Sequence, residues 1–192
     1  MKNQVHIAIF ASGGGSNAEQ ILNHFKNNER IEVSLIVSNI RDAGVLDRAK
    51  NHNINSFVHT KEEAKNGGLL QKLLNEQIDF IVLAGYLKKI GNDLTNAFPN
   101  KIINIHPALL PKFGGKGMYG MNVHNAVVEA KEQESGPTIH FVNENYDEGA
   151  IIEQYKCKID AVDSPEDVQR KVLELEHKYF ARCIEKIIEN GI

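Results

Sequence analysis

VHIAIFASGGGSN, residues 5–17, is the stretch that decides the fold of this 192-residue chain. Its first six residues are an apolar run that predicts a buried strand, which the following glycines end. Ala18, Ile21, Leu22 and Phe25 then recur at helical spacing. A strand, a glycine-rich turn and a helix in succession are typical of the opening of a βαβ unit.

Strands and helices continue to alternate through the first half of the chain. Apolar runs rich in Val and Ile predict strands, and apolar residues at helical spacing predict helices between them. This alternation predicts an α/β, single-domain Rossmann-like fold with a mainly parallel twisted sheet and helices on both faces. The predicted strands are 31–38, 56–58, 80–84 and 101–105, and the predicted helices are 43–51 and 69–76.

The second half of the chain has a different pattern. Residues 114–120 are rich in glycine and predict a mobile surface loop, after which 122–131 is helical. Strands are predicted at 138–142 and 151–159. The polar turn between them, 143–149, is short enough to make these late strands antiparallel neighbours.

The last helix carries clear signals at its start. Ser164 is a suitable cap, Pro165 suits the first turn, and Glu166 and Asp167 complement the helix dipole. Apolar residues at helical spacing predict its buried stripe. They are Val168, Val172, Leu175, Tyr179, Cys183 and Ile187.

Composition narrows the class of protein. The formal net charge of −3 disfavours a nucleic-acid partner, and 42% hydrophobic residues suffice for one core. No apolar run reaches membrane-spanning length, and the N-terminus carries no targeting signal, so we expect a cytoplasmic protein. Cys157 and Cys183 lack close-spaced partners, which predicts reduced thiols and no metal.

The glycine-rich turn is the first candidate for chemistry. Backbone N–H groups at a helix N-terminus suit an anion, and glycines let a phosphate approach closely. Asn17 and Ala18 stand where a dinucleotide site would have its third glycine, so one phosphate fits better than a pyrophosphate. A plain strand-to-helix turn capped by Ser16 is the alternative.

Polar residues at a strand end are the second candidate. Asn104 and His106 are two apart in a predicted strand, so their side chains point to one side and could stabilise an oxyanion and move protons. Asp147 in the late turn could orient the histidine. The alternatives are a polar strand end and an ordinary acidic turn.

Other polar residues are predicted to have no role in chemistry. Glu176 and His177 border the apolar stripe of the last helix and predict a solvated edge. Six scattered histidines are predicted to be surface or core residues. They are His6, His24, His52, His59, His124 and His140.

Residues 104–111, Asn-Ile-His-Pro-Ala-Leu-Leu-Pro, resemble the active-site motif of the folate-dependent formyltransferases. The resemblance extends over nearly the whole chain and includes 12–17, 84–88, 147–149 and 175–177. It implies formyl transfer from 10-formyltetrahydrofolate, the cofactor and formyl donor, to the amine of glycinamide ribonucleotide in purine synthesis. It also implies one domain over residues 1–192, with a ribonucleotide-binding N-terminal half and a folate-binding C-terminal half.

The resemblance also implies roles for individual residues. Direct attack of the amine would form a tetrahedral oxyanion held by Asn104 and a protonated His106, with Asp147 supporting the imidazolium. Both small-molecule substrates would be bound by a monomer or homodimer. By this resemblance the phosphate loop would be Gly13, Gly14, Gly15, Ser16 and Asn17, and Glu176 would bind another part of the ribonucleotide. The folate site would be Tyr86, Leu87, Lys88, Ile90, Asn143 and Glu144.

The sequence departs from the family pattern at three places. Ala108 replaces a usual serine, Lys88 replaces a common arginine, and the connection 116–123 is longer and richer in glycine. A different amine acceptor, or hydrolysis of formylfolate, is an alternative at the same site. A silent phosphate- or folate-binding regulator is an alternative from another class. A transfer-RNA substrate is disfavoured because we expect no additional RNA-binding domain.

Overall fold

The computed structural model describes residues 4–191. Apolar runs form most of its longer strands, and amphipathic stretches form most of its helices. The strands are β1 (Val5–Phe10), β2 (Ile31–Ser38), β3 (Asn55–Val58), β4 (Phe80–Leu83), β5 (Ile102–His106), β6 (Glu134–Ser135), β7 (Thr138–Phe141), β8 (Ile151–Gln154) and β9 (Cys157–Lys158). The helices are α1 (Ser16–Phe25), α2 (Gly44–Asn51), α3 (Gly68–Asn75), α4 (Asn92–Ala97), α5 (Met121–Glu129) and α6 (Pro165–Glu189).

Seven strands form one sheet in the order β3-β2-β1-β4-β5-β7-β8, and β6 pairs with β9 in a second sheet. β1 runs parallel to β2 and β4, β2 runs parallel to β3, and β8 runs antiparallel to β7. The predicted α/β fold, with a mainly parallel sheet and an antiparallel late strand, is confirmed. The strand order reverses between β1 and β4, and ligands of open α/β sheets bind at such reversals.

The chain divides into two compact units. The first comprises the chain up to Ile103 together with the residues from Ile184 onward. β4 is buried along its whole length, and most of β1 and β2 is buried, so these parallel strands are largely apolar on both faces, whereas β3 is exposed or half-buried. The fully buried side chains on β1, β2 and β4 include Ile7, Ile9, Phe10, Leu35, Ile36 and Ile81.

The second unit comprises Asn104–Cys183. One of its core clusters joins Val127 of α5 and Ile159 to Val168 and Val172 at the start of α6. The predicted cap of α6 is confirmed, because the Asp167 N–H donates to Ser164 Oγ at 3.2 Å and the Ser164 N–H donates to Asp167 Oδ2 at 3.1 Å. This reciprocal pair satisfies two backbone donors that the first turn would otherwise leave open.

Three predictions for the second half need correction. The predicted strand 151–159 is two strands, because Ile151–Gln154 pairs with β7 in the seven-stranded sheet whereas Cys157–Lys158 pairs with β6 in the second sheet. Leu175 and Tyr179 are only half-buried, whereas Phe180 is buried. The solvated edge predicted for Glu176 is wrong, because only 7% of the residue is exposed.

Two further observations concern sequence features of the whole chain. Cys157 and Cys183 are free thiols, half-buried and buried respectively. None of the helices in residues 4–191 combines the length and the apolar character that crossing a bilayer requires.

Candidate functional site

The glycine-rich loop follows β1 and leads into α1. Gly15 is the N-cap in the left-handed region, with φ of 69°, so Ser16 begins the helix and does not cap it. A Cβ on Gly15 would lie 2.6 Å from Cγ2 of Val45, so only glycine fits. No side chain in residues 4–191 caps this helix. The first amides of α1 are therefore suited to an anion.

Helix α2 holds the carbonyl side of this loop. The Val45 N–H donates to the Gly13 carbonyl at 3.1 Å, and Arg48 Nε donates to the Gly14 carbonyl at 2.6 Å. The Arg48 guanidinium also pairs with Glu19 of α1 at 2.9 Å. Sequence reasoning missed Arg48, since no local pattern shows which loop a partly buried helix cation will contact.

The segment 85–90 follows β4 and alternates between anchored and exposed residues. Tyr86 and Ile90 are buried, whereas Leu87 and Lys88 between them are exposed. Of the residues predicted to line a folate pocket, Leu87 and Lys88 therefore present side chains to solvent. Tyr86 and Ile90 hold the segment in place.

Tyr86 is fixed by His59, a histidine that was predicted to be a surface or core residue and is buried. His59 Nδ1 contacts the Thr60 carbonyl at 2.9 Å and must donate there. The Tyr86 hydroxyl therefore donates to His59 Nε2, at 2.8 Å. Burial raises the pKa of Tyr86 to about 12, so the phenol keeps its proton at neutral pH.

Asp147 is the centre of the polar cluster in the second unit. Its Oδ2 lies 3.6 Å from His106 Nδ1, and its Oδ1 lies 3.6 Å from His140 Nε2. The Gly115 N–H donates to Oδ2 at 2.9 Å. The predicted neighbours His106 and Asp147 are thus brought together, and the start of the 114–120 loop is bound to the same carboxylate.

His106 lies at the end of β5 and is buried. Its Nε2 contacts the Phe113 carbonyl at 2.8 Å and must donate there, so the lone pair of the neutral ring is on Nδ1, the atom facing Asp147. Burial lowers the pKa of His106 below its usual value and outweighs the opposing effect of the Asp147 charge. The free protein therefore holds His106 neutral at neutral pH.

The turn around Asp147 keeps this carboxylate charged. Burial raises the pKa of Asp147, but the neighbouring His140 and His106 and the hydrogen bond from the Gly115 amide together lower it below the usual value. Asp147 itself has a positive φ of 56°. Two residues later, a Cβ on Gly149 would lie 1.7 Å from the Phe141 carbonyl oxygen, so this position accepts only glycine.

His140, on β7, connects Asn104 to Asp147. Its Nδ1 donates to the Phe141 carbonyl at 2.8 Å, which leaves Nε2 to accept from the Asn104 amide, at 3.1 Å. The sequence held a signal for it that was not used. Thr138 and His140 are two apart on a strand, the spacing that singled out Asn104 and His106.

Ala108, the departure from the family motif, is fully buried. Its carbonyl accepts from Thr138 Oγ1 at 2.6 Å, and the Leu110 N–H donates to the same hydroxyl at 3.0 Å. Thr138 thus fixes the turn after β5 through backbone groups, and alanine at 108 leaves these bonds intact.

His124 of α5, predicted to be a surface or core residue, is buried close enough to His106 for that ring to affect its pKa. Only 3% of the residue is exposed, and its Nδ1 has no hydrogen-bond partner within residues 4–191. Burial, reinforced by the neighbouring His106, lowers the pKa of His124 to about 4. The ring is therefore neutral at physiological pH.

The remaining predicted residues occupy the late turn and α6. Asn143 and Glu144 are exposed, and Asn143 Oδ1 accepts from the Asn145 N–H at 2.9 Å. Glu176 is buried on α6. The described residues 4–191 contain no group of three histidine, cysteine or acidic side chains placed to hold a metal ion.

Comparisons with known proteins agree with this geometry. The family described as Formyl transferase matches residues 5–184. Phosphoribosylglycinamide formyltransferase of Bacillus subtilis is 36% identical over 94% of this chain and 93% of its own length. The chloroplastic enzyme of Arabidopsis thaliana is 44% identical over 97% of this chain, which spans 66% of that relative.

Solved structures show the same likeness. The crystal structure of phosphoribosylglycinamide formyltransferase from Bacillus halodurans has a TM-score of 0.87 and 34% identity, and the match covers 97% of each chain. A family match over nearly all of the described residues, together with a relative covered almost end to end, leaves one assignment. The chain belongs to the formyl transferase family.

Proposed function

We propose that this protein transfers the formyl group of 10-formyltetrahydrofolate to the amine of glycinamide ribonucleotide in purine biosynthesis. The observation that carries the proposal is the polar group formed by Asn104, buried His106 and Asp147, in a chain whose relatives are named phosphoribosylglycinamide formyltransferases. Formylfolate supplies an activated formyl carbon, and the amine nitrogen forms the new C–N bond as the bond to N10 breaks. One amine proton is lost, and N10 gains one.

His106 carries the proton. Because the Phe113 carbonyl holds Nε2–H and burial keeps the ring neutral, Nδ1 is the basic atom that accepts the proton lost by the amine. The Asp147 charge, 3.6 Å away, stabilises the imidazolium that forms. The protonated ring can then return the proton to the leaving nitrogen. Asp147 also holds, in this proposal, an ordered water that takes part in the proton transfer.

Asn104 stabilises the developing oxyanion. A carboxamide has two N–H donors, and His140 accepts one of them at 3.1 Å, which fixes the orientation of the amide. The second N–H remains to donate to the formyl oxygen as negative charge accumulates on it. A donor held in place before the reaction costs no reorganisation during it.

Ligand binding is assigned to the loops. The uncapped start of α1 suits the ribonucleotide phosphate, with Gly13–Asn17 around it, and buried Glu176 suits the ribose hydroxyls. Exposed Leu87 and Lys88 suit the folate, largely through backbone and apolar contacts, and the turn at 143–144 suits the pterin. The match of one family over residues 5–184 supports a single formyltransferase domain.

Several expectations stay predictions. Two small-molecule substrates without a nucleic-acid or membrane partner, a monomer or homodimer, and catalysis without a metal all fit this reaction. So does a cytoplasmic location, although the Arabidopsis relative is named a chloroplastic enzyme.

A turnover assay tests the proposed function. The purified protein is mixed with 10-formyltetrahydrofolate and glycinamide ribonucleotide, and folate absorbance is followed beside a control without amine. We expect turnover that requires the ribonucleotide. Turnover in the control would identify a formylfolate hydrolase. Binding of folate without turnover under either condition would point to another acceptor or to a silent binder.

A further inference from the structure

Ser12 occupies the point where the first unit's two candidate ligand-binding segments meet. It follows β1, whose last residue, Phe10, is paired with Leu83, the last residue of β4. The glycine-rich loop therefore leaves one strand and the segment 85–90 leaves its neighbour, at the place where the strand order reverses.

The backbone and the hydroxyl of Ser12 bind both sides of this junction. Its N–H donates to the Gly85 carbonyl at 3.0 Å. Its Oγ accepts from the Leu87 N–H at 2.9 Å and donates to Asn39 Oδ1 at 2.6 Å. The directions are fixed, because a backbone N–H can only donate and a hydroxyl has one proton to give.

The segment that Ser12 holds is otherwise anchored by side chains on each side of Leu87. Tyr86 is buried against Phe10, with ring centroids 5.3 Å apart, and bonds to His59. Ile90 is buried four residues further on. Between these anchors Leu87 and Lys88 are exposed, and the Leu87 N–H is the backbone group that Ser12 holds.

The opposite side of the glycine-rich loop offers a contrast. Val45 and Arg48 of α2 donate to the Gly13 and Gly14 carbonyls. Both bonds end on the glycine-rich loop. Loss of the Arg48 bond should therefore disturb the loop alone, whereas loss of the Ser12 hydroxyl should disturb the loop and the segment together.

We propose that Ser12 is a positioning residue that ties the phosphate loop to the folate segment, so that one hydroxyl supports the binding of both substrates. This inference rests on the proposed function for the identity of the two ligands. Ser12 acts through the backbone of its neighbours and takes no part in proton transfer.

The test compares Ser12→Ala with Arg48→Ala and with Ser34→Ala as the matched control. Ser34 also carries a hydrogen-bonded hydroxyl in the first unit, 2.9 Å from His6 Nδ1. Dissociation constants are measured by calorimetry for glycinamide ribonucleotide and, separately, for tetrahydrofolate, together with kcat and KM for both substrates.

Ser12→Ala should weaken both ligands about three- to ten-fold, the range that follows from the loss of one or two ordinary hydrogen bonds, and should leave kcat within about two-fold. Arg48→Ala should weaken the ribonucleotide alone, and Ser34→Ala neither ligand. Weakening of only one ligand by Ser12→Ala, or equal weakening by Ser34→Ala, would overturn the proposal. If Ser12→Ala fails to fold, Ser12→Cys, with its weaker donor and acceptor, takes its place under the same criteria.

The experiment distinguishes failure of the Ser12 proposal from failure of the proposed function. A wild-type protein that binds inorganic phosphate and tetrahydrofolate but formylates no ribonucleotide would refute the proposed function. Phosphate and tetrahydrofolate would then serve as the two probes, and the expected pattern for Ser12→Ala would be unchanged. A wild-type protein that binds neither probe would overturn the proposal, since Ser12 would have no two sites to join.

Discussion

The glycine-rich loop and the Asp147 cluster make polar sites in opposite ways. The loop offers backbone amides at the start of a helix, and its Gly13 and Gly14 are exposed. The cluster is made of side chains, and His106 and His140 are buried, with 3% and 2% of each residue exposed. One region depends on backbone conformation, and the other depends on which atoms are charged or hydrogen-bonded in a dry environment.

The difference shows which kind of function each of the two regions suits. A phosphate carries its own charge and needs oriented donors, which a helix start supplies without buried charge. Proton transfer needs groups whose pKa values differ from those in water, and burial beside a fixed carboxylate provides this for His106. Substitutions that act on only one of the two regions can therefore test the distinction.

The largest effect is expected from the side-chain cluster. His106→Ala and Asp147→Asn should each lower kcat by on the order of 10²–10³ while changing substrate affinity little, because the lost groups act on charge that develops during the reaction. Steady-state kinetics measure this. His24→Gln, which removes a surface partner of Glu185 at 2.9 Å, should keep normal kcat. Near-normal kcat in either cluster variant would show that its residue lacks the proposed role.

The buried state of the cluster should also appear in stability. The pKa of His124 falls from 6.5 to about 4 on folding, which at about 1.4 kcal/mol per pKa unit corresponds to about 3 kcal/mol. This contribution is complete above pH 6.5 and is lost as the pH falls toward 4, because the unfolded chain binds the proton first. Urea unfolding from pH 7.5 to 4 should show a flatter profile for His124→Gln than for wild type. Parallel profiles would contradict the buried neutral ring.

A smaller effect is expected in the backbone-built region. Gly15→Ala places a Cβ in the left-handed region and against Val45. The strain of roughly 1–2 kcal/mol should raise KM for the ribonucleotide about ten-fold and leave kcat nearly unchanged. Gly67→Ala has a similar positive φ of 83° but open space around it, so it is the control for strain alone. A fall in kcat with unchanged KM for Gly15→Ala would contradict the assignment of substrate binding to the loop and of the chemistry to the Asp147 cluster.

The smallest effect is expected where neither region is touched. Ser164→Ala removes the side-chain cap of α6 and should lower the free energy of unfolding by about 1 kcal/mol. Both kcat and both KM values should equal those of wild type. Thermal unfolding combined with the same assay measures this. A change in kcat or in either KM would mean that the stability of α6 affects the reaction.

Local sequence patterns predicted most of the helices and strands, because the features that form them lie close together in the sequence. The bounds of β1 and β2 match the predicted strands. Each strand is a largely apolar run, and the glycine or polar residues that follow it mark its end. Helix α4 and strand β6 were not predicted. With six and two residues, they are too short for a period to be recognised.

The cluster was predicted only in part. Spacing and resemblance together singled out Asn104, His106 and Asp147, but not the groups that orient them. The Phe113 carbonyl and the Gly115 amide reach their partners across 7 and 32 residues, and they are backbone groups whose residue type carries no information. Burial of His124 and His140 likewise depends on tertiary packing.

Gly149 places a limit on how this protein can vary. Every amino acid other than glycine carries a Cβ, which here would overlap the Phe141 carbonyl at 1.7 Å. No amino-acid substitution at 149 can therefore leave the turn that carries Asp147 undisturbed. A lineage that keeps this turn must inherit the spacing of Asp147 and Gly149 as one unit, with the exposed Glu148 between them accepting from the Asn145 amide at 2.9 Å.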